Sequence, residues 1–243
     1  MPQLVLFLDD GGVISDHSRR APQWQRLIGE FLPPLLGGRA EDWIEPNKAF
    51  TAATFEPAAW ESRLASARDY WDLERTYLLD WLNGMCDKVG VERLPEEEGL
   101  ALSRRANIWI TSRVRADFPG VVETIVTLYN RGYRLNMASG ESSTDLEGYL
   151  RTLGVRDRFN RLYGPDLINT LKAGPEFYER MFADACVAPG DALVVDDSPS
   201  AIGWASQVGA RTILVTSQQT DPLPDLIAIR SLAELPTVID SLA

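Results

Sequence analysis

Short, mostly apolar runs alternate with segments of helical hydrophobic spacing along much of the chain. Residues 4–8, 133–138, 192–195 and 211–215 form such runs, and each ends in a polar or glycine-containing loop. Runs that are apolar on both faces suit parallel strands covered by helices above and below. Between them, apolar residues recur with helical spacing: Val122, Ile125, Val126 and Tyr129 before Gly132; Leu146, Tyr149 and Leu150 before Gly154; Phe177, Met181 and Phe182; and residues 202–208 before Gly209. Strand, helix and strand in succession predict an α/β fold, a doubly wound Rossmann-like parallel sheet.

Residues 18–117 have a different texture. They contain no strand-like run but hold Trp24, Trp43, Trp60, Trp71, Trp81 and Trp109, six of the seven tryptophans in the chain. Pro33-Pro34, Gly37-Gly38, Pro57 and Pro95 interrupt the apolar spacing, so several amphipathic helices are expected, with the aromatics packing the core of a small bundle. The predicted organisation is a core domain of residues 1–16 and 119–243, interrupted by a helical domain of residues 17–118.

Composition narrows the partners. With 243 residues, 45% of them hydrophobic and 24% charged, the chain can bury a substantial core. A formal net charge of -11, with no basic run beyond pairs such as Arg19-Arg20 and Arg104-Arg105, excludes a nucleic-acid surface. The first apolar run is too short to cross a bilayer and no basic segment precedes it, so no membrane partner and a cytoplasmic location are expected. Cys86 and Cys186 lie in no CxxC pair, which fits free thiols. Oligomeric state is not legible.

Ligands of open parallel sheets bind outside the carboxyl ends of the strands, so the residues there matter most. In chain order they are Asp9-Asp10-Gly11-Gly12, Ser139-Gly140, Lys172 in a loop, and Asp196-Asp197-Ser198. Order and spacing together carry more than any one of these residues.

In LFLDDGGVI, LNMASG, LKAGPEFY and LVVDDSPSAI, the chain resembles the haloacid dehalogenase-like hydrolase superfamily. The family pattern is a strand ending D-x-D-G-[TV]-[LV], a strand ending in Ser or Thr, a Lys, and a strand ending in paired acids. FPGVVETIVTLYNRGYRL and WASQVGARTILV resemble the segments flanking those motifs, and the insert resembles the family's helical cap, expected to close over the site. The resemblance implies a Mg²⁺-dependent hydrolase acting on a small phosphorylated substrate. Asp9 would be the nucleophile, with Lys172 and Ser139 as catalytic partners. Ser139, Gly140 and Lys172 would bind the phosphoryl group, and Asp9, the Gly11 carbonyl, Asp197 and Asp196 would hold the metal. A carboxylate attacking phosphorus splits one displacement into two, and a metal, an ammonium and N–H donors offset the repulsion between anions.

The first motif departs from the family at position 11. Placing Asp9 as the nucleophile aligns Gly12, Val13, Ile14 and Asp16 with the pattern but puts Gly11 where a second aspartate belongs. Placing Asp10 as that second aspartate turns the nucleophile into Leu8. The first register agrees at more positions. Asp10, pointing to the opposite side of the strand end, then becomes a supporting or solvent-facing carboxylate. In family phosphatases the second aspartate moves protons, and an acid from the insert or His17 is a candidate to replace it. Phosphonate hydrolases, which use a cap lysine such as Lys48, and haloacid dehalogenases also lack that aspartate. A binding protein without turnover is a further alternative.

Overall fold

In the computed structural model, which describes residues 4–216 and 226–242, the first apolar run becomes β1 (Val5–Leu8). Six helices follow: α1 (His17–Phe31), α2 (Pro33–Leu36), α3 (Ala40–Thr54), α4 (Pro57–Ser66), α5 (Tyr70–Val89) and α6 (Glu96–Thr111). The chain then alternates through α7 (Val121–Asn130), β2 (Arg134–Ala138), α8 (Ser143–Leu153), β3 (Phe159–Tyr163), α9 (Pro165–Ile168), α10 (Pro175–Ala185), β4 (Ala192–Asp196), α11 (Pro199–Gln207), β5 (Arg211–Val215), β6 (Ile227–Ile229) and α12 (Leu235–Leu242). Two compact units result. One joins Met1–His17 to Arg115–Ala243, and the other is Ser18–Val114.

The first unit is the expected α/β fold, a parallel sheet in the order β3-β2-β1-β4-β5-β6. β1 pairs with both β2 and β4, so that Leu8 stands opposite Met137 on one side and Val195 on the other. From β1 the chain works outward through β2 to β3, then returns to place β4 on the far side of β1. Strand order therefore reverses at β1 and β4, and a crevice opens outside their carboxyl ends.

Successive β1 side chains face opposite layers, which is why the whole run is apolar. Leu6 and Leu8 pack in one cluster with Ile125 and Leu128 of α7 and Leu146 and Leu150 of α8. Phe7 packs in the other with Phe177, Tyr178 and Phe182 of α10, its ring meeting that of Phe182 edge-on with centroids 5.2 Å apart. Each such buried side chain contributes roughly 1.5–3 kcal/mol. The helices at 121–130, 143–153, 175–185 and 199–207 lie where the spacing places them. β3 and β6 escape the apolar-run criterion. β3 is an edge strand that exposes Asn160 and Arg161, and β6 has three residues.

The second unit is helical throughout its described elements, and its proline breaks serve as helix starts. Pro33 opens α2 and Pro57 opens α4, where the Glu56 carboxylate accepts the Ala59 N–H at 3.0 Å. Two tryptophans form its buried core with their polar edges satisfied. Trp43 donates its indole N–H to the Gly37 carbonyl at 2.9 Å, and Trp81 donates to Asn47 Oδ1 at 2.8 Å. Trp71, by contrast, is 48% exposed. Both cysteines are free thiols, Cys86 buried and Cys186 exposed.

Candidate active site

Asp9 follows β1 directly and extends its ladder, donating its backbone N–H to the Val195 carbonyl at 2.9 Å. This pins its carboxylate at the strand end beside Asp196, the last residue of β4. Lys172 arrives from the loop between α9 and α10. Its ammonium donates to Asp9 Oδ1 at 2.8 Å, to Asp196 Oδ2 at 2.7 Å and to the Ala138 carbonyl at 2.9 Å. All three N–H donors are used, tying the ends of β1, β2 and β4 together.

Burial governs the electrostatics. It pushes the Asp9 carboxyl up to about 6, against the lowering effect of Lys172 and with a further push from Asp196. Asp196 is raised for the same primary reason. Burial works against charge on Lys172 as well, but the two carboxylates outweigh it and hold the ammonium above its ordinary range. Asp197 is exposed, yet its carboxyl is also raised, by desolvation and by Asp9, with His17 and Lys172 partly offsetting the rise.

Ser139 continues β2, donating its N–H to the Tyr163 carbonyl at 2.9 Å, while its buried hydroxyl accepts the Glu141 N–H at 3.2 Å. Gly140 next to it is exposed, and a Cβ there would meet no atom within 4 Å. A side chain at that position would therefore extend into open space.

The loop after β1 separates the two aspartates. Asp10 is 1% exposed; its Oδ1 accepts the Ser15 hydroxyl at 2.8 Å, and its carbonyl accepts the N–H groups of Ile14 and Ser15. It is a supporting carboxylate that fastens a turn. That turn is closed by the Gly12 N–H on the Ser15 carbonyl and anchored by the Asp16 N–H on the Ala116 carbonyl.

Gly12 is required on two counts. Its φ of 76° is left-handed, and a Cβ there would fall 1.9 Å from Asp197 Oδ2. Gly12→Ala should therefore combine about 1–2 kcal/mol of backbone strain with displacement of Asp197. A lower melting temperature is the expected result, and a variant as stable as wild type would contradict this geometry.

Carboxylate oxygens of Asp9, Asp196 and Asp197 lie within 4.8 Å of one another. A cluster of hard oxygen donors suits Mg²⁺ chemically. The three are not equally available, however. Asp196 has Oδ2 on Lys172 and accepts the Ser198 N–H with Oδ1 at 2.9 Å. Asp9 takes the lysine with Oδ1, leaving Oδ2 outside that bond, and the Asp197 carboxylate is met by its own backbone N–H rather than by Lys172.

The sequence reading did not single out Tyr178. Its buried hydroxyl has no hydrogen-bond partner among the described residues, and burial raises it above the ordinary phenol range, with the Lys172 charge opposing the rise. Helical spacing marks Tyr178 only as core. Lys48, the candidate imine former, is paired with Glu45 of α3 at 2.6 Å.

The chain has relatives among known proteins. Residues 82–215, more than half of the chain, match the family described as haloacid dehalogenase-like hydrolase. The Bacillus subtilis (strain 168) protein named "Putative phosphatase YhcW" is 25% identical over 105 residues, 43% of this chain and about half of that protein (48%). Two solved structures have TM-scores of 0.65 and 0.64. The first is the "putative HAD-hydrolase YfnB from Bacillus subtilis bound to magnesium", 16% identical with 99% of this chain and 100% of that one covered. The second is 2-haloacid dehalogenase of Pseudomonas syringae pv. Tomato DC3000, 21% identical with the same coverage. At these identities the two structures speak to the fold alone. The family match extends across the chemistry-bearing strand ends from Ser139 to Asp197, and the chain belongs to the haloacid dehalogenase-like hydrolases.

Proposed function

We propose that the chain is a Mg²⁺-dependent phosphatase acting on a small phosphorylated metabolite through an aspartyl-phosphate on Asp9. The observation that carries this reading is the buried Asp9 carboxylate, held by Lys172 and flanked by the exposed carboxylate of Asp197. A carboxylate in that position repels an anionic substrate unless a cation sits between them, so it supports a metal-assisted reaction and counts against metal-free dehalogenation.

In this reading Asp9 Oδ2, Asp197 and the Gly11 carbonyl hold the ion, and Asp196 acts on it at one remove through Lys172. Bound Mg²⁺ would neutralise charge between nucleophile and phosphoryl oxygens. Lys172 fixes Asp9 for attack, and Ser139 with the Gly140 N–H receives non-bridging oxygens. The sheet unit carries the chemistry.

Screening phosphate monoesters, phosphonates and 2-haloacids with Mg²⁺ and with a chelator tests the reading. Phosphate release that depends on Mg²⁺ is expected. Halide release in the chelator would overturn it. The metal site has its own test, since Asp197→Asn removes a ligand without touching Lys172. Calorimetry should show Mg²⁺ affinity falling at least tenfold, the lower end of what loss of a supporting metal contact costs, and undiminished binding would place the ion elsewhere.

A further inference from the structure

The family's second aspartate is replaced by Gly11, and the backbone does not call for a glycine there, because Gly11 is absent from the residues with positive φ. The space beside it is filled by another residue. A Cβ built on Gly11 would lie 2.6 Å from His17 Nε2 and 2.7 Å from Cε1, and the third atom within 4 Å is His17 Nδ1. An imidazole occupies the volume in which a side chain at position 11 would begin.

Local structure brings it there. Gly11 bridges to Ser15, Ser15 bridges to Asp117, and the Phe118 N–H bonds the Ile14 carbonyl at 3.0 Å. The chain between Gly12 and Asp16 therefore folds back, and the next residue returns over Gly11. The ring makes no hydrogen bond among the described residues and is exposed. A Cβ built on Gly12, the residue after Gly11, would meet Asp197 Oδ2, so the ring and that carboxylate adjoin neighbouring residues of one loop. His17 is also the only histidine in the chain.

We propose that His17 is the proton-transfer residue of this hydrolase, standing in for the carboxylate that Gly11 lacks. The proposal rests on the phosphatase reading above. In the first step an Asp9 oxygen bonds to phosphorus and the bond to the ester oxygen breaks. That oxygen keeps the electron pair and takes the proton from His17, leaving alcohol, aspartyl-phosphate and neutral imidazole. In the second step water bonds to phosphorus and gives its proton to His17. The bond from phosphorus to Asp9 breaks, its electrons return to the carboxylate, and phosphate leaves.

The test compares wild type, His17→Ala, His17→Gln and the double variant Gly11→Asp/His17→Ala on glycerol 2-phosphate and p-nitrophenyl phosphate, in Mg²⁺. The alkyl ester needs its leaving oxygen protonated, so the single variants should lose about 10²–10⁴ in kcat on it. The aryl ester needs no such help in the first step but still needs the water activated. It should give a burst of one p-nitrophenolate per chain and then stall, with phosphate trapped on Asp9 in an acid quench. Gly11→Asp in the His17→Ala background should restore alkyl turnover, since the ring that would block the new side chain is gone.

Thermal melts and Mg²⁺ calorimetry accompany each variant, and His17→Gln, which keeps much of the ring's volume, carries the test if His17→Ala unfolds. Folded single variants that turn over the alkyl ester like wild type, or that slow both esters equally with no trapped phosphoenzyme, overturn the role of His17 while a Mg²⁺-dependent wild type keeps the phosphatase reading intact. A wild type inert on both esters overturns that reading and this proposal together.

Discussion

Asp9→Asn should abolish phosphate release from every ester the protein accepts, while Asp10→Asn leaves a folded protein that retains a substantial part of it. The two residues are adjacent, both acidic and both buried, so composition does not separate them. Their partners do. Asp9 is bonded to Lys172 and shares a cluster of carboxylate oxygens with Asp197, whereas Asp10 accepts the Ser15 hydroxyl and holds the turn behind the strand end. In the phosphatase reading proposed above, an amide at position 9 would lose the nucleophile and a metal-facing charge at once, and a covalent step cannot proceed without its nucleophile. An amide at position 10 still offers Oδ1 to the Ser15 hydroxyl, so that hydrogen bond is weakened rather than lost. Steady-state kinetics on folded variants, with acid-quench trapping of the phosphoenzyme, measures both. Activity surviving in Asp9→Asn but lost in Asp10→Asn would shift the motif by one residue and remove the covalent mechanism.

How much of this was legible in the sequence depended on where each residue sits. The four inner strands were visible because both of their faces are covered, so most of their residues are apolar. The edge strand β3 carries Asn160 and Arg161 on exposed positions and reads as a loop. Asp9, Ser139, Asp196 and Asp197 announce themselves as polar residues that stop apolar runs. Lys172 does not; it lies in a loop 163 positions from Asp9, and only its resemblance to a family motif marked it before the fold brought the two within 2.8 Å. The division of labour between Asp196 and Asp197 was likewise hidden, since the sequence shows two adjacent acids and only the strand's alternation turns one toward Lys172 and the other toward Gly12. His17 was a candidate for its chemistry alone. Its place over Gly11 depends on a turn built from long-range backbone bonds to residues 116–118, which no local pattern encodes.

Lys172→Met should destabilise the protein as well as inactivate it, and the instability should be largest without Mg²⁺. The ammonium is the common partner of two buried carboxylates, with side chains 10% and 1% exposed, and removing one member of such a network leaves uncompensated charge at a cost of about 3–5 kcal/mol. For a chain of this size that corresponds to a fall in Tm on the order of 10 °C. Lys172→Arg should not rescue it, because a planar guanidinium cannot reproduce three donors pointing to Asp9, Asp196 and the Ala138 carbonyl from one nitrogen. The sign of a double-mutant cycle makes the test sharper. In wild type, Asp196→Asn should destabilise, because it strips Lys172 of a partner. In the Lys172→Met background the same substitution should stabilise, because it removes one of two carboxylates that now repel each other, and the Asn Oδ1 still accepts the Ser198 N–H. Added Mg²⁺ should narrow the gap between Lys172→Met and wild type, since a ligand that binds only the folded chain stabilises it by mass action and this one also supplies the missing positive charge. Thermal melts of the four proteins in chelator and in Mg²⁺ decide the matter. Additive effects across the cycle would mean that Lys172 and Asp196 do not act as a pair, and the assignment of Asp196 to the lysine rather than to the metal would fall with it.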